Sequence, residues 1–96
     1  MIQCESIDEV RGNIDRIDEG IVKLVAERSN FVKQAANFKK DSEAVKAPRR
    51  VEAVIEKVRK LAVENNVSPD IVEVIYRKMI TSFINFELEE YNQNKK

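Results

Sequence analysis

The chain has 96 residues, which is enough for one small domain over residues 1–96 and leaves no room for a separate cofactor domain. Lysine plus arginine and aspartate plus glutamate each total 17, and this zero formal charge argues against a protein that binds nucleic acid or anionic membrane through excess positive charge. The absence of histidine excludes Ser-His-Asp and Cys-His catalysis and the usual imidazole-bound metal sites.

The sequence carries no sign of export or membrane insertion. Cys4 is the single cysteine, so no disulfide can form within the chain, which suits a reducing compartment. No stretch has the roughly 20 apolar residues of a membrane span, and the first thirty residues contain acids throughout. We therefore expect a cytoplasmic protein.

The first predicted element is a long helix over about residues 7–40. Ser6 and Glu9 have the spacing of a capping box, in which each side chain satisfies a free backbone N–H group of the other residue. An apolar stripe with alternating steps of three and four residues follows, as in a packed helix. Its members are Ile7, Val10, Ile14, Ile17, Ile21, Leu24, Arg28, Phe31, Ala35 and Phe38.

The second predicted element is a helix over about residues 48–65. Residues 41–47 show no helical period and lead into Pro48, which fits the first turn of a helix because its missing N–H would have no partner there. We therefore expect a loop followed by a helix. Apolar residues then recur at helical spacing up to Asn65 and Asn66, which tolerate the left-handed geometry of a helix end.

The third predicted helix covers about residues 69–91. Ser68, Pro69 and Asp70 supply a cap, a first-turn proline and a first-turn acid. With only two glycines and two prolines in the chain, the expected fold is all-α with three helices. The core face of the third helix comprises Val72, Ile75, Tyr76, Met79, Ile80, Phe83 and Ile84 and continues through Glu87 and Tyr91.

The length of the first helix predicts a homodimer. As one helix, residues 7–39 would be about 50 Å long, whereas a compact chain of this size has a radius of gyration of about 12 to 13 Å. The overhanging part of the stripe would expose large apolar side chains unless a second copy covered them. The alternative is a break near Gly20, which would give a hairpin and a four-helix monomer.

Five charged residues lie where a purely structural protein would not need them. Arg28 occupies the apolar stripe and requires an anionic partner. Lys39 would face the same way further along the helix, whereas Arg11 lies about 25 Å from Arg28 and could reach the same ligand only from a second chain. Arg50 adds positive charge to the start of the second helix. Glu87 lies on an apolar face, where desolvation should raise its pKa and favour the neutral acid.

Each of these charges also has a structural interpretation. Arg28 could form an internal ion pair, the other cations could be solvated surface charges, and Glu87 could be an exposed acid near a fraying helix end. Taken together they predict a basic cavity with one acid and without nucleophile or metal cluster. Such a cavity suits a small dianionic substrate and a cofactor-free reaction in which the protein holds a reactive conformer and stabilises developing charge.

Several short motifs occur together in a defined order. They are Arg11-x-x-Ile14-Asp15-x-Ile17-Asp18, Glu27-Arg28, Phe38-Lys39, Pro48-x-Arg50-Val51, and Ser68-Pro69 with Ile75-Tyr76. In this order and spacing they closely resemble the all-helical chorismate mutase family over nearly the whole chain. The resemblance implies an intertwined homodimer with two identical sites that converts chorismate to prephenate by a Claisen rearrangement, without cofactor or metal.

The resemblance also implies roles for the charged residues. Arg28 and the partner's Arg11 would bind the substrate carboxylates. Lys39 would contact the ether oxygen and a carboxylate, and Arg50 would face the same pocket. Glu87 stands where bacterial members commonly have Gln, whose amide donates a hydrogen bond to the ether oxygen, so a glutamate there must be protonated to donate.

Besides Glu87, two positions around the start of the second helix depart from the mutase pattern. Val51 and Ala47 replace acids that many mutases carry, and the Pro48-x-Arg50-Val51 start and the run over residues 35–39 are similar to the isochorismate-pyruvate lyase branch. Chorismate mutase is our first interpretation, with a lyase forming salicylate and pyruvate as the alternative. A noncatalytic helical dimer is a remote third.

Overall fold

The computed structural model describes residues 3–94, and the side chains of residues 3–90. This part of the chain is all-helical and contains no strand, as predicted. Its elements are α1 (Ile7–Ala36), α2 (Ser42–Lys46), α3 (Pro48–Glu64) and α4 (Pro69–Asn94). The chain divides after Gln34 into two compact units, which are described separately. None of the helices in the described range is long and apolar enough to cross a membrane.

The first unit consists mainly of α1, which begins at the predicted cap. The Glu9 N–H donates to Ser6 Oγ at 3.1 Å, and the Glu9 carboxylate accepts from the N–H of Glu5 at 2.9 Å rather than from that of Ser6. The helix continues without a break through Gly20, so the alternative of a hairpin at that residue is wrong. Its 30 residues span about 45 Å.

The C-terminus of α1 lies earlier than the predicted residue 40. The N–H groups of Phe38 and Lys39 donate to the carbonyls of Ala35 and Ala36 at 3.0 and 3.2 Å, which is the tight spacing of a final turn. Phe38 is 86% exposed, so no packing at this end prolongs the helix. Lys39 therefore belongs to the connection after α1 and not to its stripe.

No described residue of α1 is buried. The large apolar members of its stripe, apart from Phe38, are between 37% and 65% exposed: Ile7, Val10, Ile14, Ile17, Ile21, Leu24 and Phe31. The apolar stripe of an amphipathic helix normally packs against another element, because full burial of one such side chain contributes about 1.5 to 3 kcal/mol to stability.

The expected loop over residues 41–47 contains the short helix α2, so this prediction was wrong. Asp41 caps it, because its Oδ1 accepts a hydrogen bond from the N–H of Ala44 at 2.8 Å. Val45 is buried and α2 packs against α4. One helical turn is too short for an apolar period, and the cap at Asp41 followed by the acid Glu43 was the local signal.

The second unit is built around the hairpin of α3 and α4. Glu52 pairs with Arg77 and Arg59 pairs with Asp70, so residue numbers rise on one helix as they fall on the other and the helices are antiparallel. The buried apolar residues of this unit are Val45, Ile55, Val58, Ala62 and Ile80.

The hairpin turn follows the sequence signals closely. Asn66 has the left-handed conformation, with φ 60°, that the asparagine pair predicted. Ser68 caps α4 by accepting from the N–H of Ile71 at 3.3 Å. The predicted core-face residues of α4 up to Glu87 are buried or half-buried, except Ile75, which is 56% exposed. The predicted place of Tyr91 on this face lies outside the described side chains.

Candidate active site

A lysine and a glutamate form a largely buried ion pair in the second unit. Lys39 Nζ lies 3.1 Å from Glu87 Oε2, and the two side chains are 21% and 7% exposed. Lys39 comes from the connection between α1 and α2, and Glu87 comes from the C-terminal half of α4. The contact joins residues 48 apart in sequence.

Glu87 is buried because of its place on α4. It lies seven residues after the buried Ile80 and three after Ile84, so all three side chains point from one helix face. A buried carboxylate needs a hydrogen-bond donor, and Lys39 supplies it. Among the side chains that the structure describes, no buried polar atom lacks a partner. The interpretation of Glu87 as an exposed acid is therefore wrong.

The ion pair itself was not predicted. Sequence reasoning placed Lys39 and Glu87 in the same cavity, each directed at a ligand. The sequence signal for the pairing was present, since an acid on an apolar face requires a donor and Lys39 was the cation expected nearby.

Arg50 lies in the first turn of α3 and is exposed, as is its neighbour Arg49. The Arg50 side chain makes no hydrogen bond or ion pair with the residues described here. The backbone before it bends sharply at Ala47, which has a left-handed conformation with φ 40° and ψ 59°. The Ala47 N–H donates to the carbonyl of Glu43 at 3.0 Å to close α2, and its carbonyl accepts from the N–H of Val51 at 3.0 Å to open α3.

Ala47 and Val51 are therefore joined by the first backbone hydrogen bond of α3. These are the two positions at the start of this helix at which the sequence departs from the mutase pattern. Both side chains are partly exposed, beside the arginine pair that begins the helix.

Arg11 and Arg28 both lie on α1, in the first unit. Arg11 is exposed and Arg28 is half-buried. Their separation along the helix is about 25 Å, given a rise of 1.5 Å per residue. A single small ligand therefore cannot contact both arginines of one chain.

The described residues contain no group of three or more His, Cys, Asp or Glu side chains that could hold a metal ion. The candidate site residues are instead three arginines, one lysine and the buried acid Glu87. Such groups bind carboxylates and donate hydrogen bonds.

Comparison with known proteins identifies the family. The family model for chorismate mutase type II matches residues 10–88, which include Arg11, Arg28, Lys39, Arg50 and Glu87. The chain belongs to the chorismate mutase type II family. This family of enzymes is the one that the ordered motifs predicted.

The proteins to which this chain is similar include both mutases and a lyase. The isochorismate pyruvate lyase of Pseudomonas aeruginosa is 32% identical over 92 residues, covering 96% of this chain and 91% of the lyase. The chorismate mutase of Methanocaldococcus jannaschii is 35% identical over 77 residues, covering 79% of this chain and 78% of that mutase. The bifunctional chorismate mutase/prephenate dehydratase of Aquifex aeolicus is 34% identical over 87 residues, covering 86% of this chain and 24% of the bifunctional protein.

Proposed function

We propose that this protein is a chorismate mutase that converts chorismate to prephenate by a cofactor-free Claisen rearrangement. The observation that carries the proposal is the buried contact between Lys39 and Glu87, in a chain that belongs to the chorismate mutase type II family. In the rearrangement, negative charge develops on the ether oxygen of a substrate that carries two carboxylates. A cation such as Lys39 stabilises this charge, and so does an acid such as Glu87 that donates a hydrogen bond once it is protonated.

The proposed mechanism assigns each group a task. Arg28 and the partner's Arg11 bind the two substrate carboxylates and hold the reactive conformer, which lowers the entropic part of the barrier. Lys39 contacts the ether oxygen, on which negative charge grows as the carbon–oxygen bond breaks. Neutral Glu87 donates a second hydrogen bond to that oxygen. Arg50 contributes positive charge at the pocket.

We propose further that the active unit is an intertwined homodimer. The exposed stripe of α1 is an apolar surface that a second copy would cover with its own α1. The separation of about 25 Å between Arg11 and Arg28 also favours a shared site, because the partner's Arg11 could approach a ligand held by Arg28. The exposed stripe and the arginine separation are independent arguments, and both favour a homodimer.

An isochorismate-pyruvate lyase is the second candidate. Val51 and Ala47 are apolar where many mutases carry acids, and the lyase of Pseudomonas aeruginosa aligns with 96% of this chain. The same pocket would then eliminate pyruvate from isochorismate to leave salicylate. Membership of an enzyme family weighs against the third interpretation, a noncatalytic helical dimer. We also propose a cytoplasmic location, because the single cysteine Cys4 is unpaired.

Parallel assays decide between the two reactions. Purified protein is incubated with chorismate and with isochorismate, prephenate is separated from salicylate plus pyruvate, and the two values of kcat/KM are compared. A preference for chorismate supports the mutase. A preference for isochorismate establishes the lyase, and inactivity toward both substrates contradicts both proposals.

A further inference from the structure

The first turn of α3, which carries Arg50, lacks the side chains that usually stabilise a helix start. Ala47 at its N-cap makes no side-chain hydrogen bond, and the first turn contains no acid. Arg49 and Arg50 instead place two positive charges at the positive end of the helix dipole, which is unfavourable. Pro48 favours the start of the helix but restrains only its own φ angle. Such a helix start frays unless a contact outside the helix holds it.

A contact with α4 holds this part of α3 from outside. Glu52, two residues after Arg50, accepts two hydrogen bonds of 2.9 Å from Arg77 of α4, from Nη1 to Oε2 and from Nη2 to Oε1. Such a two-pronged contact fixes the relative orientation of the two groups as well as their separation. Glu52 therefore ties the beginning of α3 to α4.

The Arg77 guanidinium is itself held in place. Its Nε donates to Glu73 Oε2 at 2.7 Å, one turn earlier on α4, and Glu73 Oε1 accepts from Arg59 Nη1 at 2.7 Å. Because two edges of the guanidinium are engaged, Arg77 has little freedom to follow Glu52 if the start of α3 moves. The contact therefore restrains the helix start and does not move with it.

The restraint acts on the direction of Arg50. Residues two apart in an α-helix are separated by about 200° around the axis and about 3 Å along it, so Arg50 and Glu52 project from nearly opposite sides of α3. The contact with α4 opposes any rotation or fraying of the first turn that would direct Arg50 elsewhere. The Glu52 and Arg77 side chains are 65% and 43% exposed, and exposed ion pairs contribute little to overall stability. The main consequence of the contact is therefore orientation.

We infer that Arg77 and Glu52 are positioning residues that orient Arg50 for its contact with the substrate. The inference rests on the proposed function, in which Arg50 contributes positive charge to the pocket. Both residues act through Arg50 and not by contact with the substrate. Substrate affinity thus depends on an ion pair between α3 and α4 that lies outside the pocket.

Steady-state kinetics of Glu52→Ala test the inference. The substrate is chorismate, or isochorismate if the wild type prefers it, and kcat and KM are determined separately. We expect KM to rise about fivefold and kcat to change by less than about twofold, because a misdirected Arg50 weakens binding of substrate and transition state alike. Removal of a negative charge near a dianion would by electrostatics alone lower KM, so the sign of the change is informative. Partial unfolding would lower kcat and leave KM unchanged.

Glu56→Ala is the matched control. Glu56 lies one turn further along α3 and pairs with Lys60 of the same helix at 3.8 Å. Its replacement removes the same charge from the same helix and should leave KM unchanged or slightly lower. An equal KM for Glu52→Ala and Glu56→Ala overturns the inference.

A double variant tests whether the effect passes through Arg50. Arg50→Ala alone should raise KM, and the addition of Glu52→Ala should raise it no further, because the group that Glu52 orients is then absent. If the two substitutions multiply their effects on KM, Glu52 acts independently of Arg50 and the inference is wrong.

The outcomes also separate the inference from the proposed function. If the wild type is active and Glu52→Ala has the same KM, the inference is wrong and the function stands. If the wild type acts on neither substrate, the proposed function fails and the inference fails with it.

Discussion

Arg77 binds Glu52 across the interface of α3 and α4 through two parallel hydrogen bonds, from Nη1 to Oε2 and from Nη2 to Oε1, each 2.9 Å long. Arg77 Nε also donates to Glu73 Oε2 at 2.7 Å, and Arg59 Nη1 donates to Glu73 Oε1 at 2.7 Å. Two-pronged contacts of this kind depend on geometry. They therefore align α4 against α3, and so contribute to the position of Glu87.

This charge network predicts a dependence of stability on acid pH. Hydrogen bonds from Arg77 and Arg59 hold the pKa of Glu73 below its usual value of 4.5. A carboxyl with a lowered pKa in the folded state stabilises the fold above about pH 4.5, and this stabilisation is lost as pH falls through the lowered pKa. Glu73→Gln should therefore lower the Tm by a few degrees at neutral pH and by progressively less below pH 4.5.

Glu64→Gln is the control for this measurement. Glu64 lies exposed on α3, and its side chain makes no hydrogen bond or ion pair with the described residues. Its replacement should leave the thermal midpoint nearly unchanged at every pH. An equal loss for Glu73→Gln at pH 7 and at pH 3 would show that the ionised carboxylate is not the stabilising species.

The exposed stripe of α1 predicts how the proposed dimer can be disrupted. Ile21 belongs to the stripe and is 52% exposed, whereas its neighbour Val22 lies off the stripe and is 67% exposed. Ile21→Asp places a charge in the proposed interface of both subunits and should raise the dimer dissociation constant about a hundredfold or more. Sedimentation velocity should detect monomers, whereas Val22→Asp should remain dimeric.

The proposed shared site predicts recovery of activity when two inactive chains are mixed. Arg11→Ala and Arg28→Ala homodimers each lack one arginine in both sites. After subunit exchange, half of the molecules are heterodimers and each contains one intact site, so about a quarter of the wild-type activity should return. Exchange is verified with differently tagged chains. Heterodimers that form without activity would contradict the shared site.

The proposed role of Glu87 predicts how the reaction rate depends on pH. Only the neutral acid can donate to the ether oxygen, so kcat/KM for chorismate should rise as pH falls below neutrality. Glu87→Gln carries an amide that donates at every pH, and its profile should be flat. Glu90→Gln should keep the wild-type profile. A rising profile that survives in Glu87→Gln would remove Glu87 from the mechanism.

Val51 predicts a shift in substrate preference. It lies directly after Arg50, where many mutases carry an acid that holds the ring hydroxyl of the substrate. Val51→Glu should raise the ratio of kcat/KM for chorismate to that for isochorismate by about tenfold, the effect of one added hydrogen bond to a charged group. Ala53→Glu, on an exposed position of α3, serves as the control and should leave the ratio unchanged.

Local sequence signals predicted the starts of the three long helices well, although they missed α2. Ser6 and Ser68 cap their helices through bonds that join residues three apart, and such contacts depend on neighbours in sequence alone. The ends of helices were less predictable. The apolar period suggested that α1 continues to residue 40, but it ends at Ala36 because no packing at Phe38 prolongs it.

The sequence by itself determined the all-helical fold, the apolar stripe of α1 and the family motifs, because periodicity, caps and motif spacing are written along the chain. Tertiary structure alone decided that Lys39 pairs with Glu87 and that Arg77 pairs with Glu52. Both contacts join distant residues, so they exist only once the packing of α2, α3 and α4 has set which side chains meet.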